Sequence, residues 1–204
     1  MKRQYITIPL LSLFLLVEIY FAVTHFNINK NMAEGDTIDE FNGVYVYYNG
    51  GVNQSQGRNL STEGYNIGIK YQCVEFVKRY YLEKFNLKMP DAMGHAKHFY
   101  NPKVPSGSIN EKRGLIQYSN GSKDIPQVND LIVFSPTITN PYGHVAIVSM
   151  VTSNTLQVVQ QNAGPFSSSR ATYALKNIDG KWYVQGKSTL GWLRMPPENI
   201  SSNK

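Results

Sequence analysis

The chain of 204 residues holds a single cysteine, four histidines and two tryptophans. One cysteine excludes an intrachain disulfide and any zinc site of the four-cysteine or Cys-Cys-His-His type. No glycine-rich phosphate loop is present, and no segment repeats. Charge is sparse, at 17% of residues, with 20 basic against 14 acidic side chains and a net +6. That mild excess suits a neighbour of anionic polymers or membranes and is too small to indicate nucleic acid. What is plentiful is apolar and aromatic: 42% hydrophobic, 12% aromatic, 14 of them tyrosine. Such a composition excludes wholesale disorder, and the length allows one domain and a little more.

The extra part is at the N-terminus. Met1-Lys2-Arg3 is a short positive start, and residues 6–23 are almost continuously apolar, interrupted by Thr7, Pro9, Ser12 and Glu18. This pattern predicts an N-terminal membrane anchor or signal segment over residues 1–29. Ala22-Val23-Thr24 is a poor cleavage site, which favours an uncleaved anchor, and Lys2 and Arg3 place the body outside the cytoplasm. A protein secreted after cleavage is the alternative. Residues 30–40 read as a polar linker, 41–197 as one domain, and 198–204 as a polar tail.

Within the domain, the run 43–48 (GVYVYY) predicts a strand, and residues 52–70 a loop. Cys73 to Asn86 predicts a helix with an apolar stripe of Val74, Val77, Tyr81 and Phe85. Glu75 and Arg79 stand in the favourable order for an ion pair. A second short helix is expected over Asp91 to Tyr100, with Asp91 as its cap. After Pro126 the pattern turns to strands, at 130–134, 143–151, 155–162, 171–175, 182–185 and 191–195. Ser153-Asn154 and Asp179-Gly180 are the turn signals. Helices followed by antiparallel strands make an α+β fold.

The chemistry starts from the thiol. A free cysteine is as a rule a small buried hydrophobe. Cys73, however, stands at the start of the predicted helix, where free N–H groups and the helix dipole favour a thiolate. A catalytic thiol needs a base. His25 lies at the edge of the apolar segment. His95 and His98 share a helix face without a third ligand, so no metal site is read there. His144 opens a strand behind Gly143. A base needs an orienting group, and alternation along residues 156–162 puts Val158, Gln160 and Asn162 on one face. Gln160 or Asn162 can accept the imidazole Nδ1–H.

These residues carry a resemblance. Tyr71-Gln72-Cys73-Val74-Glu75-Phe76-Val77-Lys78-Arg79, Gly143-His144-Val145-Ala146-Ile147-Val148 and Gln160-Gln161-Asn162 resemble the CHAP family, the cysteine, histidine-dependent amidohydrolases/peptidases. Leu190-Gly191-Trp192-Leu193 is similar to the glutathionylspermidine amidase branch. The resemblance runs over about residues 43–195. It implies a papain-like CHAP fold, with N-terminal helices packed on an antiparallel β-sheet. It also implies hydrolysis of amide bonds, often in peptidoglycan and in other members in glutathionylspermidine, without metal or cofactor. By resemblance Cys73 is the nucleophile and His144 the base, and the position that usually carries an acid holds Gln160. The Cys73 N–H, with Gln72 or Tyr71, would meet the oxyanion.

Three readings follow. The first is a membrane-anchored peptidoglycan amidase or endopeptidase. The second is an amidase on a thiol–polyamine conjugate. The third, which only the neutral Gln160 favours, is a catalytically weak wall-binding module. None of them sets an oligomeric state.

Overall fold

A computed structural model describes residues 4–138, 140–186 and 188–197. The polar tail expected at 198–204 lies outside the described residues. Helix α1 (Gln4–His25) is followed by the hairpin β1 (Thr37–Phe41) and β2 (Val44–Tyr47), then β3 (Arg58–Leu60) and β4 (Asn66–Ile69). Helix α2 (Cys73–Phe85) comes next, then a 3-10 turn at Ala96–Phe99. The remaining strands are β5 (Ser108–Asn110), β6 (Leu115–Ser119), β7 (Leu131–Phe134), β8 (His144–Val151), β9 (Thr155–Val159), β10 (Arg170–Ile178), β11 (Lys181–Val184) and β12 (Thr189–Arg194). Strands β5 to β12 form one eight-stranded sheet in the order β11-β10-β9-β8-β7-β12-β6-β5, every neighbouring pair antiparallel. This is an α+β arrangement consistent with a papain-like fold.

The central strands are buried on both faces, and strand alternation divides their side chains between two cores. Val133, Val145, Ile147 and Val159 pack beneath α2 with Phe76, Val77, Tyr80 and Tyr81. Ile132, Phe134, Ala146, Val148 and Val158 fill the opposite face with Leu175 and Val184. Helix α2 ends where predicted: Asn86 adopts φ 52, and its N–H and that of Leu87 return to the Leu82 and Tyr81 carbonyls. That left-handed stop is one Asn tolerates. The predicted stripe understates the burial, because Phe76 and Tyr80 are fully buried as well. Short strands cover the outer side of the first turns of α2, where Glu75, Lys78 and Arg79 are buried, while Glu83 and Lys84 in the last turn are exposed. β4 reaches the helix through Gly68, where a Cβ would lie 3.0 Å from the Glu75 Cα.

Several sequence expectations give way. Residues 37–40, assigned to a linker, belong to β1, which pairs with β2 across Asn42-Gly43 at φ 54 and 86. The loop over 52–70 contains the β3–β4 hairpin. The second helix shrinks to the turn at Ala96–Phe99, since Gly94 at φ 110 interrupts it. Asp91 caps no helix and instead accepts the Met93 N–H at 2.9 Å. β9 stops at Val159, three residues short.

Helix α1 exposes Leu13, Phe14, Leu16 and Val17, each 57% or more exposed, so its apolar side chains face outward on successive sides. Among the described residues no helix is long and apolar enough to cross a membrane. The transmembrane segment expected over residues 1–29 therefore finds no support in the described residues. The end of α1 is fixed to the body: the Asn53 N–H donates to the Thr24 carbonyl at 2.8 Å, and the Tyr48 hydroxyl to Asn27 Oδ1 at 2.9 Å.

Candidate active site

Cys73 is the first residue of α2 and is 9% exposed. The chain enters the helix through a sharp bend, with Tyr71 at φ 65 and Gln72 extended at φ −84, ψ 157. No side chain caps the helix at Gln72. The leading N–H groups of a helix have no intrahelical acceptors, so this end suits a developing negative charge. Cys73 and Gly143 line one cleft of about 530 Å³. That is the size of a small-molecule or short-peptide site.

His144 opens β8, 5% exposed, with its ring stacked on Phe134 at 6.1 Å. Its strand partner there is Phe134 itself. Gly143, at φ 77, allows the close approach before it: a Cβ would lie 2.9 Å from the Phe134 carbonyl oxygen. The His144 ring is held by Gln160, whose Oε1 lies 3.0 Å from Nε2. The amide oxygen can only accept, so Nε2 carries the proton and Nδ1 is left as the basic nitrogen. This corrects the sequence expectation, which put the orienting bond on Nδ1. Gln160 Nε2 donates in turn to the Ser168 carbonyl at 3.1 Å, which fixes which end of the amide faces the ring.

The next two residues reach the cysteine side. Gln161 is fully buried; its Nε2 donates to the Gln72 carbonyl at 3.1 Å and to Glu75 Oε2 at 2.9 Å. Its Oε1 accepts from the Tyr47 N–H at 2.7 Å. Glu75 also accepts from Arg79 at 2.7 Å and Asn59 at 2.8 Å, so the predicted ion pair exists, and it is buried. Asn162, at φ 57, donates to Gln72 Oε1 at 2.6 Å and to the Val52 carbonyl at 2.9 Å. Alternation explains the division. Gln160 continues the face of Val158 toward His144, and Gln161 the face of Val159 toward α2. One tripeptide thus grips His144 at one end and the residue before Cys73 at the other.

The remaining sequence candidates fall as follows. The two amide hydrogens of Gln72 go to the Gln54 and Val52 carbonyls, at 2.8 and 3.3 Å, so that side chain positions the loop rather than offering a donor. The Tyr71 ring packs on Tyr47 at 5.6 Å, with its hydroxyl against Gly35. Asn162 holds Gln72, not the imidazole. His25, placed by the sequence at the edge of the apolar segment, lines the cleft because the loop at 51–53 binds the end of α1. The His95 ring lies against Tyr142 at 4.6 Å, tilted by 38°, beside the same cleft, and His98 Nδ1 accepts the His95 N–H at 3.2 Å. Burial, with the nearby His95, Lys97, Arg113 and Lys112 charges, holds His98 below the usual imidazole range. Among the described residues no group of three His, Cys, Asp or Glu side chains is placed to hold a metal.

Sequence reasoning assigned no role to Gln161 and passed over Arg58, which lines the cleft. The alternation that singled out Gln160 carries the Gln161 signal too. Arg58 stands in a segment read as loop, with no periodicity to place it.

Part of the chain is similar to known proteins. The family model for the CHAP domain matches residues 63–162. Trypanothione synthetase of Crithidia fasciculata is 29% identical over 140 residues, which are 63% of this chain and 21% of that protein. Glutathionylspermidine synthase of the same organism is 30% identical over 101 residues, 48% of this chain and 14% of that protein. The chain therefore spans about a fifth or less of the curated relatives it matches. Solved structures of Ly7917, alone and with the hydrolyzing product of MDP, match 61% and 63% of this chain and 53% and 55% of theirs. Their identities are 15% and 17%, with TM-scores of 0.35 and 0.37.

Proposed function

Residues 63–162 of this chain are a CHAP domain, and from that premise we propose a cysteine-dependent amidase or endopeptidase that hydrolyses amide bonds, first of all in peptidoglycan. The family is one of amidohydrolases and peptidases. The observation that supports a working Cys–His pair is the tripeptide Gln160–Asn162, which braces His144 and the Gln72–Cys73 bend together.

In this reading His144 Nδ1 takes the Cys73 thiol proton while Gln160 keeps Nε2 protonated. The thiolate adds to the amide carbonyl, and the oxyanion faces the N–H groups at the head of α2. The tetrahedral adduct collapses, the C–N bond breaks, and the imidazolium gives its proton to the leaving amine. Water, deprotonated by His144, then attacks the thioester. The carboxylic acid leaves and the thiol is restored. Gln72 and Asn162 act as positioning residues.

The names of the curated relatives favour a second reading, an amidase on a thiol–polyamine conjugate. A polycation is best met by carboxylates, and among the described residues lining the cleft there is no Asp or Glu. The positive start and apolar run within residues 1–29 favour export of the body out of the cytoplasm as part of this proposal. A reporter fused after Lys204 should be active only in a form that works outside.

Purified peptidoglycan and glutathionylspermidine, each incubated with the protein, separate the two substrates by mass spectrometry of the products. Cys73→Ser and His144→Ala should each abolish hydrolysis, with the double change no worse than either, since the two act as a unit. Equal activity in Cys73→Ser would refute the nucleophile. Failure of Cys73 to take an active-site thiol label would favour the weak wall-binding module.

A further inference from the structure

The cleft beside Cys73 carries one permanently charged side chain among its described lining residues, Arg58, and no carboxylate. Its position is built, not incidental. The β3–β4 hairpin is pinned on the first turn of α2 by the close approach of Gly68 to Glu75 and by the Asn59 hydrogen bond to Glu75. Arg58 pairs with Ile69 in that hairpin, next to Asn59, so it stands beside the cysteine end of the helix. Its guanidinium donates to Asn66 Oδ1 at 3.0 Å. Asn66 cannot swing away, because its own Nδ2 donates to the Ala92 carbonyl at 3.1 Å. One edge of the guanidinium is thus fixed by a neutral acceptor. Among the described residues no acidic side chain pairs with it, although the cleft offers it no counter-charge.

From this we propose that Arg58 is a specificity-determining residue that recognises a free carboxylate on the substrate, near the scissile amide. The proposal rests on the reading of this cleft as the substrate site. A guanidinium presents two parallel N–H groups that match a carboxylate. Held by Asn66 on one side, it keeps donors for a ligand on the other and loses little freedom on binding. The preferred substrate is then an amide with an anionic group close by. A conjugate whose nearby part is a polyamine would meet a like charge instead.

The test uses the full chain and a matched pair of ligands. One is a peptidoglycan stem peptide with its carboxylates free, the other the same peptide with them converted to carboxamides. Binding is measured by calorimetry on the Cys73→Ala protein, so it does not depend on turnover. The carboxylate form should bind roughly ten- to a hundredfold more tightly, the worth of one charge-assisted contact. Adding Arg58→Ala should bring the two affinities together, while Arg58→Lys should keep part of the preference. Equal binding of the pair, binding of neither, or a preference that survives Arg58→Ala would overturn the assignment. Hydrolysis by the unaltered protein is scored separately and decides the proposed activity on its own. Arg58 is exposed, so loss of folding is not expected, and a thermal melt of each variant checks it.

Discussion

Replacing Gln160 by glutamate places a negative charge beside the His144 ring, and the structure sets two opposed consequences. The Oε1 position lies 3.0 Å from His144 Nε2 and is 6% exposed. A carboxylate there would face the imidazolium in a semi-buried setting. At about 4 Å between charge centres and an effective dielectric of about 20, the attraction is about 4 kcal/mol. Desolvation of the new carboxylate takes back part of this, and the net effect favours the imidazolium. The imidazolium–thiolate pair then survives to higher pH, so the alkaline limb of the activity profile should move up. The opposite consequence is at the other end of the side chain. Gln160 Nε2 now donates to the Ser168 carbonyl at 3.1 Å, and a second carboxylate oxygen there meets another acceptor. That exchange should cost about 1–3 kcal/mol of stability. Steady-state rates across pH, with chemical denaturation of both proteins, read the two effects. An unmoved alkaline limb together with unchanged stability would refute the assigned geometry. Gln160→Ala provides the control: it should lose tautomer control and lower kcat/KM by about 1–3 kcal/mol of transition-state stabilisation.

Asn162→Ala removes both hydrogen bonds to the Gln72 region and forces alanine into φ 57. It should lower kcat/KM by less than Gln160→Ala and leave the shape of the pH profile unchanged, whereas Asn162→Gly should retain more stability than Asn162→Ala. Burial, aided by Arg113, lowers Lys78 from 10.5 to about 8. Between pH 8 and 10.5 the unfolded chain therefore holds a proton that the folded chain lacks, and this group makes stability rise with pH across that window, by about 3 kcal/mol at most. Urea unfolding at pH 7.5 and 10 should show a smaller gain for Lys78→Met than for the unaltered chain; an identical pH response would remove Lys78 as the cause.

Much of the site follows from local pattern. The cysteine helix begins at Cys73 and ends one residue from its expected end because its signals are local: an apolar stripe, and Asn86 as a left-handed stop. His144 and Gln160 share a face only because the β8–β9 pairing shifts by one residue between Val148 and Met150. Pairing counted straight from Ser153-Asn154 would put Gln161 there instead, so a period of two alone does not assign the amide. What could not be read is set by distant contacts. The β3–β4 hairpin has three- and four-residue strands without an apolar period, and it exists because Gly68 and Asn59 meet a buried Glu75. The second helix failed where Gly94 interrupts a segment with helix-compatible composition. Lys78 illustrates the same limit. Its nearly complete burial follows from the Asn66 and Ala92 carbonyls that its ammonium reaches, which the helix pattern does not contain.

A sequence position says that an acceptor is near the ring but not which nitrogen it meets; that depends on the direction from which the strand end arrives. The structure gives the direction, and it also shows why three neutral amides stand in a row. Gln160 and Gln161 each donate and accept, and Asn162 donates both of its Nδ2 hydrogens, so each joins two separate segments. Gln160 joins His144 to the Ser168 carbonyl, Gln161 joins β2 to the first turn of α2, and Asn162 joins the Val52 carbonyl to Gln72. A carboxylate can only accept, so at the first position it would strengthen the charge on the histidine and release the Ser168 segment. In this chain the orienting residue is also a structural link, and neutrality at Gln160 is what allows it to serve as both.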